Sequence, residues 1–197
     1  MLVVGLTGQT GAGKSTAGRL FAERGVPSID CDRVARAVTE QGSPCLDALV
    51  AEFGQDILFP CGGLDRKKLG SIVFADPQKL ARLDAVIFPF ILARIRELLG
   101  ALETRGEPLV LLDAPTLFES GADSLCGVIV SVVAPAEIRR ERIRERDGLS
   151  REEADRRMES QHDEAFFRER SDFVLENGGP PEALVPQVDE ALRRLSP

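Results

Sequence analysis

Near the start of the chain, Gly8-Gln9-Thr10-Gly11-Ala12-Gly13-Lys14-Ser15 follows the spacing G-x-x-x-x-G-K-[ST] at every position. The 197 residues include 18 Gly, 4 Lys and 17 Ser or Thr. With that composition a chance match is expected only about three times in a thousand such chains. Each residue type has a chemical reason to be there. Glycines reach backbone angles closed to other residues, so consecutive N–H groups can turn inward as an anion nest. A helix beginning near Lys14 adds its positive dipole end and unbonded N–H groups. Lys14 supplies a cation for the β- and γ-phosphates and a charge for the transferring phosphoryl, and the Ser15 hydroxyl suits Mg²⁺. Gly8, Gly11, Ala12, Gly13, Lys14 and Ser15 are therefore expected to hold the phosphates of ATP. The plainer alternative is a glycine turn at a helix start with Lys14 solvated.

Two acidic positions extend the chemistry. Ile29-Asp30-Cys31-Asp32 stands where a second strand ends, the edge of an open α/β sheet where ligands lie. Asp32 is expected to act as general base, taking the proton of an attacking hydroxyl. Asp30 is as readily the N-cap of a following helix. Leu109-Val-Leu-Leu-Asp113 is an apolar strand ending in a carboxylate that could hold Mg²⁺ directly or through water. A strand-ending Asp also starts turns. Glu119, a little further on, could approach an acceptor or simply be solvated.

Arg139, Arg142 and Arg146 recur at i, i+3 and i+7, one face of a helix that could close over ATP and stabilise transition-state charge. The stretch 139–170 holds ten arginines and ten acidic residues, so a solvent face laced with ion pairs is the competing reading. His162, the single histidine, lies in a polar run and reads as a surface residue.

The elements needed to position these groups are legible as apolar runs at 2–6, 26–29, 109–112, 128–133 and 173–175. Such runs read as buried parallel strands. Helical patterns separate them at 14–24, 31–40, 44–54, 65–74, 77–103, 135–147, 150–170 and 181–195. Alternation of this kind predicts an α/β architecture with right-handed crossovers. The roughly 80 residues between the second and third strands exceed a single crossover's needs and form a candidate acceptor-side block. Within it Leu80, Leu83, Ile87, Phe90, Ile95, Leu98 and Leu102 make an apolar stripe. Pro89 is expected to start a second helix there or kink the first.

Composition removes several classes. A net charge of −7 argues against a basic nucleic-acid footprint. No apolar run approaches the ~18 residues of a membrane span, and the opening residues lack the basic n-region of a signal peptide. Cys31, Cys45, Cys61 and Cys126 form no C-x-x-C pair and read as reduced residues. The N-K-x-D motif of GTPases is absent. A small-molecule kinase fits best, with the acceptor left open by the residues themselves; a nucleotide-binding module without transfer activity is the alternative from another class.

Taken together, the motifs resemble the dephospho-coenzyme A kinase family. Val4-Gly-Leu-Thr-Gly-Gln-Thr-Gly-Ala-Gly-Lys-Ser-Thr16 is similar to its opening and Ile29-Asp-Cys-Asp32 to its I-D-A-D segment. Leu64-Asp-Arg66 with Ile72-Val-Phe74 resembles the block before its long helix. Leu112-Asp-Ala-Pro-Thr-Leu-Phe-Glu119 resembles its D-x-P-L-L-F-E loop. Arg146-Asp-Gly-Leu-Ser150 with Gln161 resembles its lid, and Phe173 to Asn177-Gly178 its final strand and turn. The resemblance implies a P-loop NTPase-type parallel five-stranded sheet flanked by helices. It implies a nucleotide-binding core over 1–30, 104–138 and 171–197, a helical coenzyme-A-binding insertion over 31–103, and an Arg-rich helical lid over 139–170. It implies transfer of phosphate from ATP, with Mg²⁺, to the ribose 3′-hydroxyl of dephospho-CoA. Gly11 to Thr16, with Arg139 and Arg146, would then contact ATP, Ser15 and Asp113 would hold the metal, and Asp32, Lys14 and Arg142 would be catalytic. A cytoplasmic monomer or small homo-oligomer without membrane or nucleic-acid partners is the matching expectation. Three positions depart from the family: Phe88-Pro89 replaces His-Pro, Arg139 replaces Gln, and Thr116 replaces Leu.

Overall fold

A computed structural model describes residues 1–195; the last two positions of the expected core segment 171–197 lie outside the described residues. The chain divides into two compact units, 1–29 with 106–197, and 30–105.

The first unit is organised on a parallel sheet of five strands in the order β2-β3-β1-β4-β5. They are β1 (Leu2–Gly8), β2 (Ser28–Asp30), β3 (Leu109–Asp113), β4 (Val128–Val133) and β5 (Phe173–Glu176). β1 lies between β3 and β4, with Leu6 opposite Asp113 and Gly8 opposite Val132. Its residues 2–6 are Leu, Val, Val, Gly and Leu, with no polar side chain among them, as suits a central parallel strand covered on both faces. Val4, Leu6, Leu111, Val130 and Val132 are fully buried and pack with Ala17, Phe21, Leu184 and Val188 from the flanking helices. Each large apolar side chain so buried contributes about 1.5–3 kcal/mol. The flanking helices are α1 (Lys14–Glu23), α6 (Ala136–Asp147), α7 (Arg151–Glu159), α8 (Glu164–Glu169) and α9 (Leu184–Leu195).

The second unit is helical: α2 (Cys31–Val38), α3 (Pro44–Phe53), α4 (Arg66–Val73) and α5 (Pro77–Thr104). Ser43 and Asp76 cap α3 and α5, each followed by a proline at the first helical position. Cys45, Leu49, Ile57, Leu69 and Val73 form its core, and Leu80, Leu83, Ile87 and Phe90 of α5 pack on them.

Three expectations need correction. Of the two alternatives for Pro89, a second helix is not what forms: α5 runs through it for 28 residues. Apolar packing on both sides of Pro89 holds the helix across the single backbone bond that proline cannot make. The pattern at 150–170 is two helices, because Asp163 accepts the Phe166 N–H at 2.8 Å and caps a new start. The second strand, expected at 26–29, is shifted to 28–30, and α2 begins directly after it. Asp30 accepts the Arg33 N–H at 3.0 Å as N-cap, and Asp32 sits in the first turn of α2. Among the described residues no helix is long and apolar enough to cross a membrane, and no disulfide joins any of the four cysteines.

Candidate active site

β1 delivers the glycine-rich loop to the carboxyl edge of the sheet. Gly8 ends the strand in so close an approach that a Cβ there would lie 2.3 Å from the Val132 carbonyl oxygen. Gly13 has φ +96°, the left-handed conformation that lets α1 begin at Lys14, and it offers no side-chain cap. The first-turn N–H groups of α1 therefore stay open toward the loop.

The carbonyl groups of the loop are fastened from outside. Thr10 O accepts from Arg139 Nε at 3.0 Å. Ala12 O accepts from the buried Asn177 Nδ2 at 2.7 Å, and Gly11 O and Ala12 O make longer contacts of 3.4 Å with Arg142. In a trans peptide the C=O and the next N–H point in opposite directions. Holding Thr10 O and Ala12 O outward thus turns the Gly11 and Gly13 N–H groups inward. Among the described residues the N–H groups of Gly11, Gly13, Lys14 and Ser15 meet no protein acceptor, whereas Ala12 N–H bonds Gln9 O at 3.0 Å and Thr16 N–H bonds Gly13 O at 3.0 Å. Four converging donors at a helix start define an anion nest.

Residues 161 and 162 also touch the loop. Gln161 accepts the Thr10 N–H at 2.8 Å, and Gln9 Nε2 donates to His162 O at 3.2 Å. His162 itself is exposed, stacks on Phe166 at 3.6 Å, and lies 3.6 Å from Glu119. Burial lowers the pKa of the Arg139 guanidinium, which remains 5% exposed with one NH2 group lacking a partner. Arg146 is turned elsewhere, making a two-pronged ion pair with Asp147 at 2.8 Å that raises its pKa. Arg139 and Arg142 thus reach the loop and Arg146 does not.

Lys14 Nζ donates to Asp113 Oδ1, joining the loop cation to the carboxylate that ends β3. Asp113 also lies over α1, its other oxygen 3.5 Å from where a Gly18 Cβ would stand. Ser15 at the start of α1 and Asp113 give one hydroxyl and one carboxylate. Among the described residues no cluster of three or more His, Cys, Asp or Glu could hold a metal alone. That donor set fits Mg²⁺, which keeps its waters and is held by one or two protein oxygens together with substrate phosphates.

Asn177, Gln161 and Gln9 were not singled out as site residues from the sequence. Asn177 stands 165 positions from its partner Ala12, and an amide side chain after a strand carries no local signal of such a contact.

The strand order, the nest and the helix beginning at Lys14 define a P-loop kinase fold. A shikimate kinase from Acinetobacter baumannii shares that fold alone, with TM-score 0.55 and 17% identity over 99% of this chain and 93% of its own. The model of the dephospho-CoA kinase family matches residues 2–182, and the chain belongs to that family. A dephospho-CoA kinase from Anaeromyxobacter dehalogenans is 44% identical over 195 residues, 99% of this chain and 92% of its own. A Thermus thermophilus crystal structure, TT1252, superposes with TM-score 0.85 at 36% identity, covering 100% of this chain and 98% of its own.

Proposed function

We propose that this chain transfers the γ-phosphoryl group of ATP to the ribose 3′-hydroxyl of dephospho-CoA, giving CoA and ADP. The observation that carries the phosphate half of the reading is the set of four unbonded N–H groups at Gly11, Gly13, Lys14 and Ser15. Membership of the dephospho-CoA kinase family supplies the acceptor.

Gly8 to Thr16 bind the triphosphate, and Lys14 exchanges its bond to Asp113 for the β- and γ-phosphate oxygens. Lys14 then neutralises charge that grows on the moving phosphoryl group. Ser15 and the freed Asp113 would hold Mg²⁺, which when bound supplies charge neutralisation on the phosphates. Asp32 accepts the proton of the 3′-hydroxyl as the oxygen attacks phosphorus, and ADP departs. Arg139 and Arg142, fastened to the loop, present positive charge along the nucleotide. We read 139–170 as the lid over ATP and 31–103 as the acceptor-binding insertion. The cytoplasm, where ATP is made, is the setting for the reaction.

The test is an acceptor panel with ATP and Mg²⁺, following ADP release. Release with dephospho-CoA alone supports the reading. Release only with another hydroxyl acceptor would point to a different kinase, and nucleotide binding without release to a non-catalytic module.

A further inference from the structure

In the helical unit the Arg66 side chain reaches the carboxyl end of α2, where Arg36 also stands, and both arginines are exposed. Arg66 opens α4, and its NH2 group donates to Thr39 Oγ1 at 2.6 Å and to Arg36 O at 3.2 Å. Thr39 is itself buried, its hydroxyl donating to Ala35 O at 2.9 Å, so the Arg66 fork is held on a fixed support. Burial, and then the neighbouring Arg36 charge, lower the pKa of Arg66. Among the described residues neither arginine forms an ion pair.

Like charges near one another repel, and among the described residues neither exposed arginine has a carboxylate partner to offset the other. Asp65, next in sequence, is occupied as the N-cap of α4, accepting the Lys68 N–H at 2.9 Å. Lys67 and Lys68 follow Arg66, and the positive end of α4 lies at the same place. An incoming anion would relieve the repulsion and receive charge-assisted hydrogen bonds from the free edge of the Arg66 fork and from Arg36.

The position of Arg36 says which anion. Arg36 lies four residues after Asp32 on α2, so the two share a face, with Cβ atoms about 5–6 Å apart. A ribose that offers its 3′-hydroxyl to Asp32 carries its 5′-phosphate at a comparable separation. We propose that Arg36 and Arg66 form the subsite for the 5′-diphosphate of the acceptor nucleotide, Arg66 as its fixed prong and Arg36 as its mobile one. The inference rests on the reading of Asp32 as the base for a dephospho-CoA acceptor, and it identifies the charge that orients that acceptor.

Steady-state kinetics of the full chain test it, using Arg36→Gln, Arg66→Gln and Arg66→Lys. Arg36→Gln and Arg66→Gln should each raise KM for dephospho-CoA about 10-fold, with KM for ATP unchanged. Arg66→Lys should recover part of the loss, and KM for dephospho-CoA should climb with added KCl less steeply in Arg36→Gln than in the unaltered chain. Arg36 supports nothing through its side chain, so that variant keeps the test open if Arg66→Gln loosens the α2–α4 junction. An unchanged KM for dephospho-CoA in an active, folded Arg36→Gln enzyme overturns the subsite. So does an Arg66→Gln enzyme with a lower melting temperature and kcat but a normal KM, which marks a strut. Failure of the unaltered chain to phosphorylate dephospho-CoA is a separate result, which overturns the parent reading and the subsite with it.

Discussion

Asn177→Ala tests how the anion nest is built. The Asn177 amide donates to Ala12 O at 2.7 Å from a position 4% exposed, and its own N–H is fixed to Val133 O at 2.8 Å. Its nitrogen lies only 2.0 Å from where a Gly13 Cβ would stand, so the amide packs directly on the loop. Truncation leaves a buried carbonyl with only the long Arg142 contact at 3.4 Å. An unsatisfied buried acceptor costs about 1–3 kcal/mol. The loop escapes that cost in the free protein by rotating the 12–13 peptide, which turns the Gly13 N–H out of the nest. ATP binding must then reverse the rotation, so the dissociation constant should rise by about 5- to 150-fold. Titration calorimetry with a non-hydrolysable ATP analogue measures it, with circular dichroism to establish that the fold persists. An Asn177→Ala protein that is folded and binds the analogue within about twofold of the original would mean that something other than Asn177 holds the peptide plane.

Other consequences can be checked independently. Asp32→Asn should lower kcat by about 10²–10⁴-fold while leaving ATP affinity unchanged, the pattern of a lost general base; a kcat near normal removes Asp32 from that role. Burial pushes the Cys126 thiol up to about 12 and raises Cys45 as well. At pH 8 a thiol reagent should therefore label exposed Cys61 first and reach Cys126 and Cys45 only on unfolding, as mass spectrometry of the labelled peptides would show. Glu137 is held below the usual carboxylate range by hydrogen bonding to Arg140, Asp147 by Arg146, and Glu153 by the Ser150 backbone N–H. Their contribution to stability is present above the unfolded-state values of about 4 and lost as pH falls through the lowered folded values. Melting temperature measured from pH 6 to 3 should drop in that acid window, less steeply in Arg140→Gln.

The strands were readable because parallel strands covered on both faces are predominantly apolar runs, and all five lie within two residues of where the runs place them. The loop was readable because its function demands fixed residue types at fixed spacing. The misplacements have local causes. The run Val26-Pro-Ser-Ile29 is apolar before it is extended, and Pro27 O instead accepts the Leu111 N–H at 2.9 Å from the neighbouring strand. Pro89 carried a strong local preference against helix that packing on both sides outweighed. The break between α7 and α8 depended on Asp163 acting as a cap within a stretch dense in charge. What the sequence left unseen is the outer fastening of the loop. Asn177, Gln161 and Gln9 act through single bonds between distant segments, and only the tertiary structure brings those segments together. Arg139, Arg142 and Arg146 share a spacing, yet Arg146 is drawn to Asp147 beside it.

The glycine-rich loop grips ATP for transfer to a single hydroxyl. This is tested most directly by incubating the chain with ATP, Mg²⁺ and dephospho-CoA and following the products by phosphorus NMR, with Lys14→Ala in parallel. A new phosphate monoester should appear on the ribose of dephospho-CoA, its diphosphate intact, in step with ADP, and none with Lys14→Ala. Dephospho-CoA left unaltered, or full turnover by Lys14→Ala, would contradict it.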